Sequence, residues 1–416
     1  MNDIWRDSHR IEKSVISSVA VIFFLCSDII ISSLNIFLPP SSLRDTLFVI
    51  IMIFPIFINV SILIRIKPIM QFIDFFVPLF MVLIIFGVSI LQHPEYSGIY
   101  RSIFWDRIFT VNVGVFGYLY ARQINSPIEF LKVLKFSGII LFFYHFWRPI
   151  EVITNGYWLI SINNVMVQSA YSMEFGYQML TPTIFLGLFA IEEKKIFYVL
   201  LFIIGTIEIL IFGSRTAFLS ILLFLLFYAL IFLYPKKHYS IRYVMIIFIL
   251  FLGVLTAAFY NPLLSFATEI LNRLNVNSRT INSLIEGTII SDSPRQFIWN
   301  RSLQLIGKRY FIGYGPLADQ FLFGEYTHNI ILEMMISFGI IAGMTFYLTF
   351  IYINFRVLLK TNNALWKKIL LVFFSLCFLK LLVTSSFWYE SSFWMSIGIA
   401  VTTLGLKADK PVLRKI

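Results

Sequence analysis

Residues 196–234 read IFYVLLFIIGTIEILIFGSRTAFLSILLFLLFYALIFLY. Two apolar runs, 196–212 and 216–234, are separated only by the tripeptide Gly213–Arg215. Each run approaches the roughly 20 residues that a helix needs to cross a bilayer core. The two helices must therefore meet in a tight turn at one membrane face, and this stretch predicts a helical membrane protein.

The composition of the whole chain agrees with this prediction. The 416 residues are 59% hydrophobic and 13% charged, with a mean hydropathy of +0.84. Soluble domains carry about 25% charged residues, so these values exclude water-soluble folds, coiled coils and disordered tails. The net charge of +11 would suggest nucleic acid for a soluble protein. In a membrane protein it reports the division of lysine and arginine between the two faces, and no nucleic-acid partner is expected.

Twelve segments approach the length of a transmembrane helix. The predicted fold class is therefore an all-α polytopic membrane protein with about twelve transmembrane helices. The segments lie near 14–36, 43–64, 72–92, 104–121, 133–150, 175–191, 196–212, 216–234, 242–259, 329–354, 369–387 and 391–406.

The distribution of basic residues predicts the orientation. With both termini inside, the cytoplasmic segments hold 21 of the 33 lysines and arginines, and each of them holds at least two. Cytoplasmic loops of membrane proteins carry this excess of basic residues. The N- and C-termini are therefore predicted to be cytoplasmic.

One connection is much longer than the others and lies on the predicted outer face. It divides the chain into residues 1–259 with nine spans, the loop 260–328, and residues 329–416 with three spans and a cytoplasmic tail. Loops of this length are uncommon unless they are functional or disordered. We expect a mostly helical cap, with most of its charged residues on a solvated surface. The acidic ones are Glu269, Glu286, Asp292, Asp319 and Glu325.

Within this loop the segment around Arg295 predicts a helix. Ser291-Asp-Ser-Pro294 is a helix-start signal, and Phe297, Trp299 and Leu303 follow at helical spacing. An arginine in the first turn of a packed helix suits a fixed anion-binding role.

Several standard site patterns are absent from the sequence. There is no P-loop, because the Gly-Lys pair is followed by Arg309, and there is no His-Glu-x-x-His, Cys/His cluster or Asp-x-Asp. We therefore expect neither a metal nor a cofactor. Gly313-Tyr-Gly-Pro-Leu-Ala matches a dinucleotide-binding pattern in letters. It has no strand before it, and its glycines are better explained by a sharp turn.

Two polar residues at the outer face allow two interpretations each. Arg215 either has a function or extends its side chain towards lipid phosphates. His328 either caps or packs the helix that follows it, or acts as a base, because its ordinary pKa lies near neutrality. Further along the same span, Gly339 and Gly343 have the spacing of a helix-packing motif.

Five short motifs follow one another in the second half of the chain. Gly213-Ser-Arg-Thr216 opens a span, and the long loop carries Ser293-Pro-Arg-x-x-x-Trp299 and then Gly313-Tyr-Gly315. His328-Asn-x-x-Leu-Glu333 leads into Phe338-Gly-Ile-Ile-Ala-Gly343. This order, over about residues 200–345, resembles the O-antigen ligase/polymerase family of bacterial envelope glycosyltransferases.

The resemblance implies inverting, metal-independent glycosyl transfer at the outer face of the bacterial plasma membrane, without a cofactor. The donor would be a glycan on undecaprenyl diphosphate. The acceptor would be a lipid-linked repeat unit in an O-antigen or capsule polymerase, which we favour, or lipid A–core in a ligase. A chain-length regulator and a flippase are further partners that the resemblance implies. A lipid-linked oligosaccharide flippase is an alternative from another class, although no internal repeat of the kind common in transporters is visible.

The resemblance also implies a role for individual residues. The departing diphosphate gains negative charge, which guanidinium groups bind bidentately, and the acceptor hydroxyl needs a base. The predicted catalytic residues are His328, Arg215 and Arg295, and the predicted substrate-binding residues are Tyr314, Asn329 and Arg301.

Overall fold

A computed structural model describes most of the predicted helices. The described residues are 15–27, 69–103, 114–155 except 125, 157–162, 165–169, 172–233 and 294–405, with scattered single positions between 29 and 57 and at 269. They form two compact units, residues 1–137 with 294–416, and residues 138–293.

The elements are numbered here in chain order. They are α1 (Val15–Leu25), α2 (Ile69–Gln92), α3 (Ser97–Ile103), α4 (Phe116–Gln123), α5 (Pro127–Phe146), α6 (Arg148–Asn155), β1 (Trp158–Ile162), β2 (Val165–Ser169), α7 (Met173–Glu193), α8 (Ile196–Phe212), α9 (Arg215–Tyr228), α10 (Pro294–Lys308), α11 (Ala318–Phe323), α12 (Ile330–Lys360), α13 (Ala364–Val383) and α14 (Ser391–Gly405). A short 3-10 turn over Pro94–Tyr96 joins α2 to α3, and α9 continues as a wider π turn over Ala229–Leu233.

The helical class is confirmed, while the number of membrane spans stays a prediction. Among the described residues, two helices are long and apolar enough to cross a bilayer, Arg215–Phe232 and Ile330–Lys360. Phe76–Gln92 and Pro94–Arg101, bent by 112°, would form a third span if taken together. The predicted span 242–259, most of the predicted span 43–64, residues 104–113 of the predicted span 104–121, and most of the loop before Pro294 lie outside the described residues.

The first unit is built around α13. Its residues from Ile369 to Cys377 are all buried, as expected of a helix that is apolar on every side. Beside it, α4 lies close against α14, where Gly398 leaves room for the backbone of Tyr118 and the methyl group of Ala121. This core fixes the turn between α13 and α14, which reaches the site described below.

The longest helix, α12, is broken at Gly339. This residue has φ 81° and ψ 169°, which is not helical. A Cβ atom at Gly343 would lie 2.5 Å from the Met334 carbonyl oxygen. In a straight helix, positions nine residues apart are separated by about 13 Å along the axis. The two parts of α12 therefore meet at a sharp bend.

The second unit contains a helical hairpin and a small β-hairpin. Helix α7 ends at Glu193, Lys194 takes a left-handed conformation (φ 53°), and α8 begins at Ile196. The strands β1 and β2 pair antiparallel from Trp158 opposite Ser169 to Ile162 opposite Val165. The all-α prediction omitted these strands because each has only five residues, too few for a strong periodic signal.

Candidate functional site

His328 stands immediately before the N-cap of α12. Asn329 caps the helix, because its Oδ1 accepts hydrogen bonds from the backbone N–H groups of Ile331 (3.0 Å) and Leu332 (3.2 Å). His328 itself has φ 55°, in the left-handed region. Such a conformation costs a residue with a side chain about 1–2 kcal/mol, so neighbouring groups must hold it.

The peptide that precedes His328 is held on both sides. Asp319 is fully buried, and its Oδ2 accepts a hydrogen bond from the Thr327 N–H at 2.8 Å. On the other side of that residue, the Trp299 indole N–H donates to the Thr327 carbonyl oxygen at 2.9 Å. These two hydrogen bonds fix the backbone from which the His328 side chain projects.

The imidazole of His328 is oriented by a backbone carbonyl. Its Nδ1 lies 3.1 Å from the Thr384 oxygen, in the turn between α13 and α14. A carbonyl oxygen only accepts hydrogen bonds, so Nδ1 carries the proton, and the neutral ring keeps a free lone pair on Nε2. The Tyr326 ring packs beside the imidazole at a centroid distance of 4.3 Å.

The surroundings of His328 favour its neutral form. Burial lowers the pKa of the imidazole, and the Arg295 guanidinium lowers this pKa further. The Thr384 carbonyl and Glu325 act in the opposite direction, but the net pKa stays below the ordinary value of 6.5. At neutral pH, His328 is therefore able to accept a proton.

Arg295 belongs to the face of α10 that points towards this site. The helix begins at Pro294, as the sequence predicts. Arg295 is half-buried and lies one turn before Trp299, which contacts Thr327. Residues four apart share a helix face, so Arg295 and the side chain that holds the His328 backbone lie on the same side of α10.

Beyond α10 the chain docks on the break in α12. The N–H groups of Tyr314 and Gly315 donate to the carbonyls of Ile336 (2.8 Å) and Ser337 (2.9 Å), and Ile340 N–H donates to the Tyr310 carbonyl (2.7 Å). These are groups that an unbroken helix would pair within itself. Gly313 and Gly315 have φ 73° and 90°, which agrees with the sharp turn predicted there.

Two of the predicted substrate-binding residues also stabilise the fold. The ring of Tyr314 is buried, with the Arg309 guanidinium 4.7 Å from its centroid, and its carbonyl accepts a hydrogen bond from the Tyr100 hydroxyl. The Asn329 side chain caps α12. In contrast, Arg301 is exposed, with its guanidinium 5.1 Å from the Phe323 ring centroid. Their roles towards substrate stay predictions.

Arg215 lies in the second unit, at the first position of α9. Ser214 caps this helix by accepting a hydrogen bond from Ala217 N–H at 3.2 Å. The turn before it packs tightly on α7, because a Cβ atom at Gly176 would lie 2.6 Å from the Ser214 nitrogen. Half-buried Arg215 therefore projects from a fixed helix end, which agrees with the predicted tight turn.

Three contributions to the site give no clear signal in the sequence. Most charged residues of the loop are expected on a solvated surface, but Asp319 is an exception, because its carboxylate is buried against the N–H groups of Thr327 and Gln320. Trp299 was assigned to packing alone. The Thr384 carbonyl gives no signal in a sequence, since every residue has one.

Comparison with known proteins finds one family match, over residues 200–347. Residues 200–347 match the family described as O-antigen ligase. No curated protein and no solved structure gives a match. The matched range contains Arg215, Arg295 and the whole segment from His328 to Gly343. This match confirms the resemblance seen in the sequence, over residues 200–347.

Proposed function

We propose that this protein is a glycosyltransferase that polymerises O-antigen or capsular polysaccharide at the outer face of the plasma membrane. The observation that carries the proposal is the contact between His328 Nδ1 and the Thr384 carbonyl, which leaves Nε2 as a proton acceptor. The O-antigen ligase domain supports the reaction class.

In the proposed reaction, the acceptor hydroxyl oxygen attacks the anomeric carbon of a glycan carried on undecaprenyl diphosphate. The bond from this carbon to the phosphate oxygen breaks, and the lipid diphosphate leaves with the bonding electrons. The hydroxyl proton passes to Nε2 of His328. Attack opposite the leaving group inverts the anomeric centre.

The arginines are proposed to bind the diphosphate. Arg295 lies in the same unit as His328 and influences its pKa electrostatically. For Arg215, at the capped start of α9, the proposal rests on the resemblance to the family. Guanidinium groups pair bidentately with phosphate oxygens, and cations held where charge develops lower the barrier.

The experiment uses purified protein in lipid nanodiscs with an undecaprenyl-diphosphate-linked repeat unit. We expect His328→Ala to lower transfer at least about 100-fold, as the loss of a general base does. Arg295→Ala and Arg215→Ala should lower it by about 100-fold or more, as the loss of a group that stabilises developing charge does. Arg356→Ala is the matched control, because Arg356 lies at the far end of α12 against Tyr352. The Arg356→Ala variant should have the transfer activity of the wild-type protein. Full activity of His328→Ala would refute the assignment of the base, and loss of activity with EDTA would contradict a metal-independent reaction.

A ligase is the second candidate, favoured by the description of the matched family. The same assay separates the two activities. A polymerase forms longer lipid-linked chains from the repeat unit alone, whereas a ligase forms product only after lipid A–core is added. A flippase would form neither product.

A further inference from the structure

Glu333 is a buried carboxylate near the start of α12 that the proposed reaction does not use. It is only 1% exposed. Its Oε1 accepts a hydrogen bond from the Ser386 hydroxyl, and its Oε2 accepts one from Phe387 N–H at 3.3 Å. Both donors belong to the turn between α13 and α14, so Glu333 joins this turn to α12.

The same turn carries the carbonyl that orients His328. Thr384 and Ser386 are two positions apart, which limits their separation to about 7 Å. The N–H groups of Thr384 and Ser385 both donate to the Lys380 carbonyl (2.8 and 3.2 Å), so Thr384 closes the last turn of α13. The Thr384 carbonyl and the Ser386 hydroxyl therefore belong to one short segment, which α13 anchors at the Thr384 end and Glu333 at the Ser386 end.

The other end of the turn is closed by an ion pair. Lys380 Nζ lies 2.5 Å from Glu390 Oε2, and the Ser392 hydroxyl donates to the other carboxylate oxygen. This pair ties α13 to the residues just before α14. The contact of Glu333 with Ser386 and Phe387 ties the same turn to α12.

We infer that Glu333 is a positioning residue that acts on His328 through the turn 384–387. By holding Ser386 and Phe387, it keeps the Thr384 carbonyl against Nδ1 of His328, so that the proton stays on Nδ1 and Nε2 is the atom that faces the acceptor. The inference rests on the proposed role of His328 as the base, and it adds a residue that does not touch substrate.

The charged groups around His328 give this role a measurable signature. Arg295 from α10 and burial lower the pKa of His328, whereas Glu325 from the preceding loop and the Thr384 carbonyl raise it. Asp319 from α11 reaches the site through Thr327. Loss of the Thr384 contact removes one of the raising interactions, so the pKa of His328 falls. Because the base must be neutral, the acid limb of the pH profile then moves to lower pH.

The test compares Glu333→Ala, Glu333→Gln and Ser386→Ala in full-length protein in nanodiscs, with kcat, KM and the pH dependence of kcat measured for each. We expect Glu333→Ala to lower kcat at least about tenfold with little change in KM, and to move the acid limb to lower pH. Glu333→Gln, which keeps one acceptor oxygen, should recover part of both effects. Ser386→Ala loses one of the two hydrogen bonds and should show the same changes to a smaller extent, which keeps the test informative if Glu333→Ala does not fold.

Glu192→Gln is the matched control. Glu192 also accepts a hydrogen bond from a hydroxyl, that of Tyr228, but it lies in the other unit, and its variant should retain the wild-type profile. The inference is overturned if Glu333→Ala keeps the wild-type kcat, or if kcat falls while the acid limb stays in place. Failure of the proposed role of His328 gives a different result. In that case His328→Ala retains activity, and the pH profile of the wild-type enzyme has no acid limb that depends on His328.

Discussion

Replacing Gly339 with alanine tests whether the break in α12 is needed for the site. A Cβ atom at Gly339 would lie 2.5 Å from the Phe311 carbonyl carbon and 2.8 Å from the Tyr310 oxygen, so the segment after α10 could not stay in place. The backbone conformation, φ 81° and ψ 169°, is one that only glycine adopts readily.

The cost can be worked out for two responses of the chain. If the bend is kept, the backbone strain costs about 1–3 kcal/mol, and the overlap with Phe311 adds to it. If α12 straightens instead, the three hydrogen bonds between the Tyr310–Gly315 segment and α12 are lost at about 1 kcal/mol each. Either response lowers the free energy of unfolding by about 3 kcal/mol, and undocking also releases the end of α10.

Thermal melting in nanodiscs, with transfer activity measured in parallel, checks this prediction. We expect a fall of about 3–4 °C in melting temperature, because the unfolding entropy scales with the 416 residues of the chain, and a lower kcat. Gly307→Ala is the matched control. Gly307 lies in α10 with no atom within 4 Å of its Cβ position, so alanine should raise stability by up to about 1 kcal/mol. If Gly339→Ala melts and reacts like Gly307→Ala, the break has no structural role.

Three further substitutions test individual contacts. Trp299→Phe removes the hydrogen bond to the Thr327 carbonyl, which contributes about 1 kcal/mol. This variant should have a kcat about fivefold lower at constant KM, and an unchanged kcat would contradict the role of this bond. Tyr100→Phe removes the hydroxyl that donates to Tyr314 and should lower the free energy of unfolding by about 1 kcal/mol in melting experiments, whereas equal melting would show that the bond contributes nothing. Burial raises the pKa of Asp319 from 3.8 to about 6, so the folded protein binds the Asp319 proton more tightly than the unfolded chain does. The protonated side chain therefore adds to the free energy of unfolding below pH 4, and this contribution is lost as the pH rises through 6. That contribution is about 3 kcal/mol, and Asp319→Asn should remove it from the pH dependence of the melting temperature; the same pH dependence in both proteins would refute the assignment.

Local signals in the sequence predicted the elements that depend on neighbouring residues. The apolar run 196–212 coincides with α8, and the short polar interruption places the start of α9 at Arg215. The proline at 294 marks the beginning of α10. In each case a few adjacent residues determine where the helix begins or ends, so no distant contact is needed to locate it.

Features that depend on distant segments could not be predicted in the same way. The contact that orients His328 comes from a carbonyl 56 residues further along the chain, and Asp319 is buried because the backbone at Thr327 folds over it. The glycines at 339 and 343 were interpreted as a helix-packing motif. They do allow close backbone approach, but Gly339 approaches Phe311 in the segment after α10, and Gly343 approaches Met334 within α12 itself.

The bend at Gly339 also affects how the protein can respond to its membrane. The part of α12 after the bend, Ile340–Lys360, is about 31 Å long at 1.5 Å per residue, which equals the thickness of a typical hydrocarbon core. A span changes its tilt when bilayer thickness changes. The joint at Gly339 is clamped by the hydrogen bonds of the Tyr310–Gly315 segment on both sides of the break and by the close approach of Gly343 to Met334. A change in tilt of Ile340–Lys360 is therefore transmitted to the short helical segment that follows His328, so bilayer thickness acts on the orientation of the base.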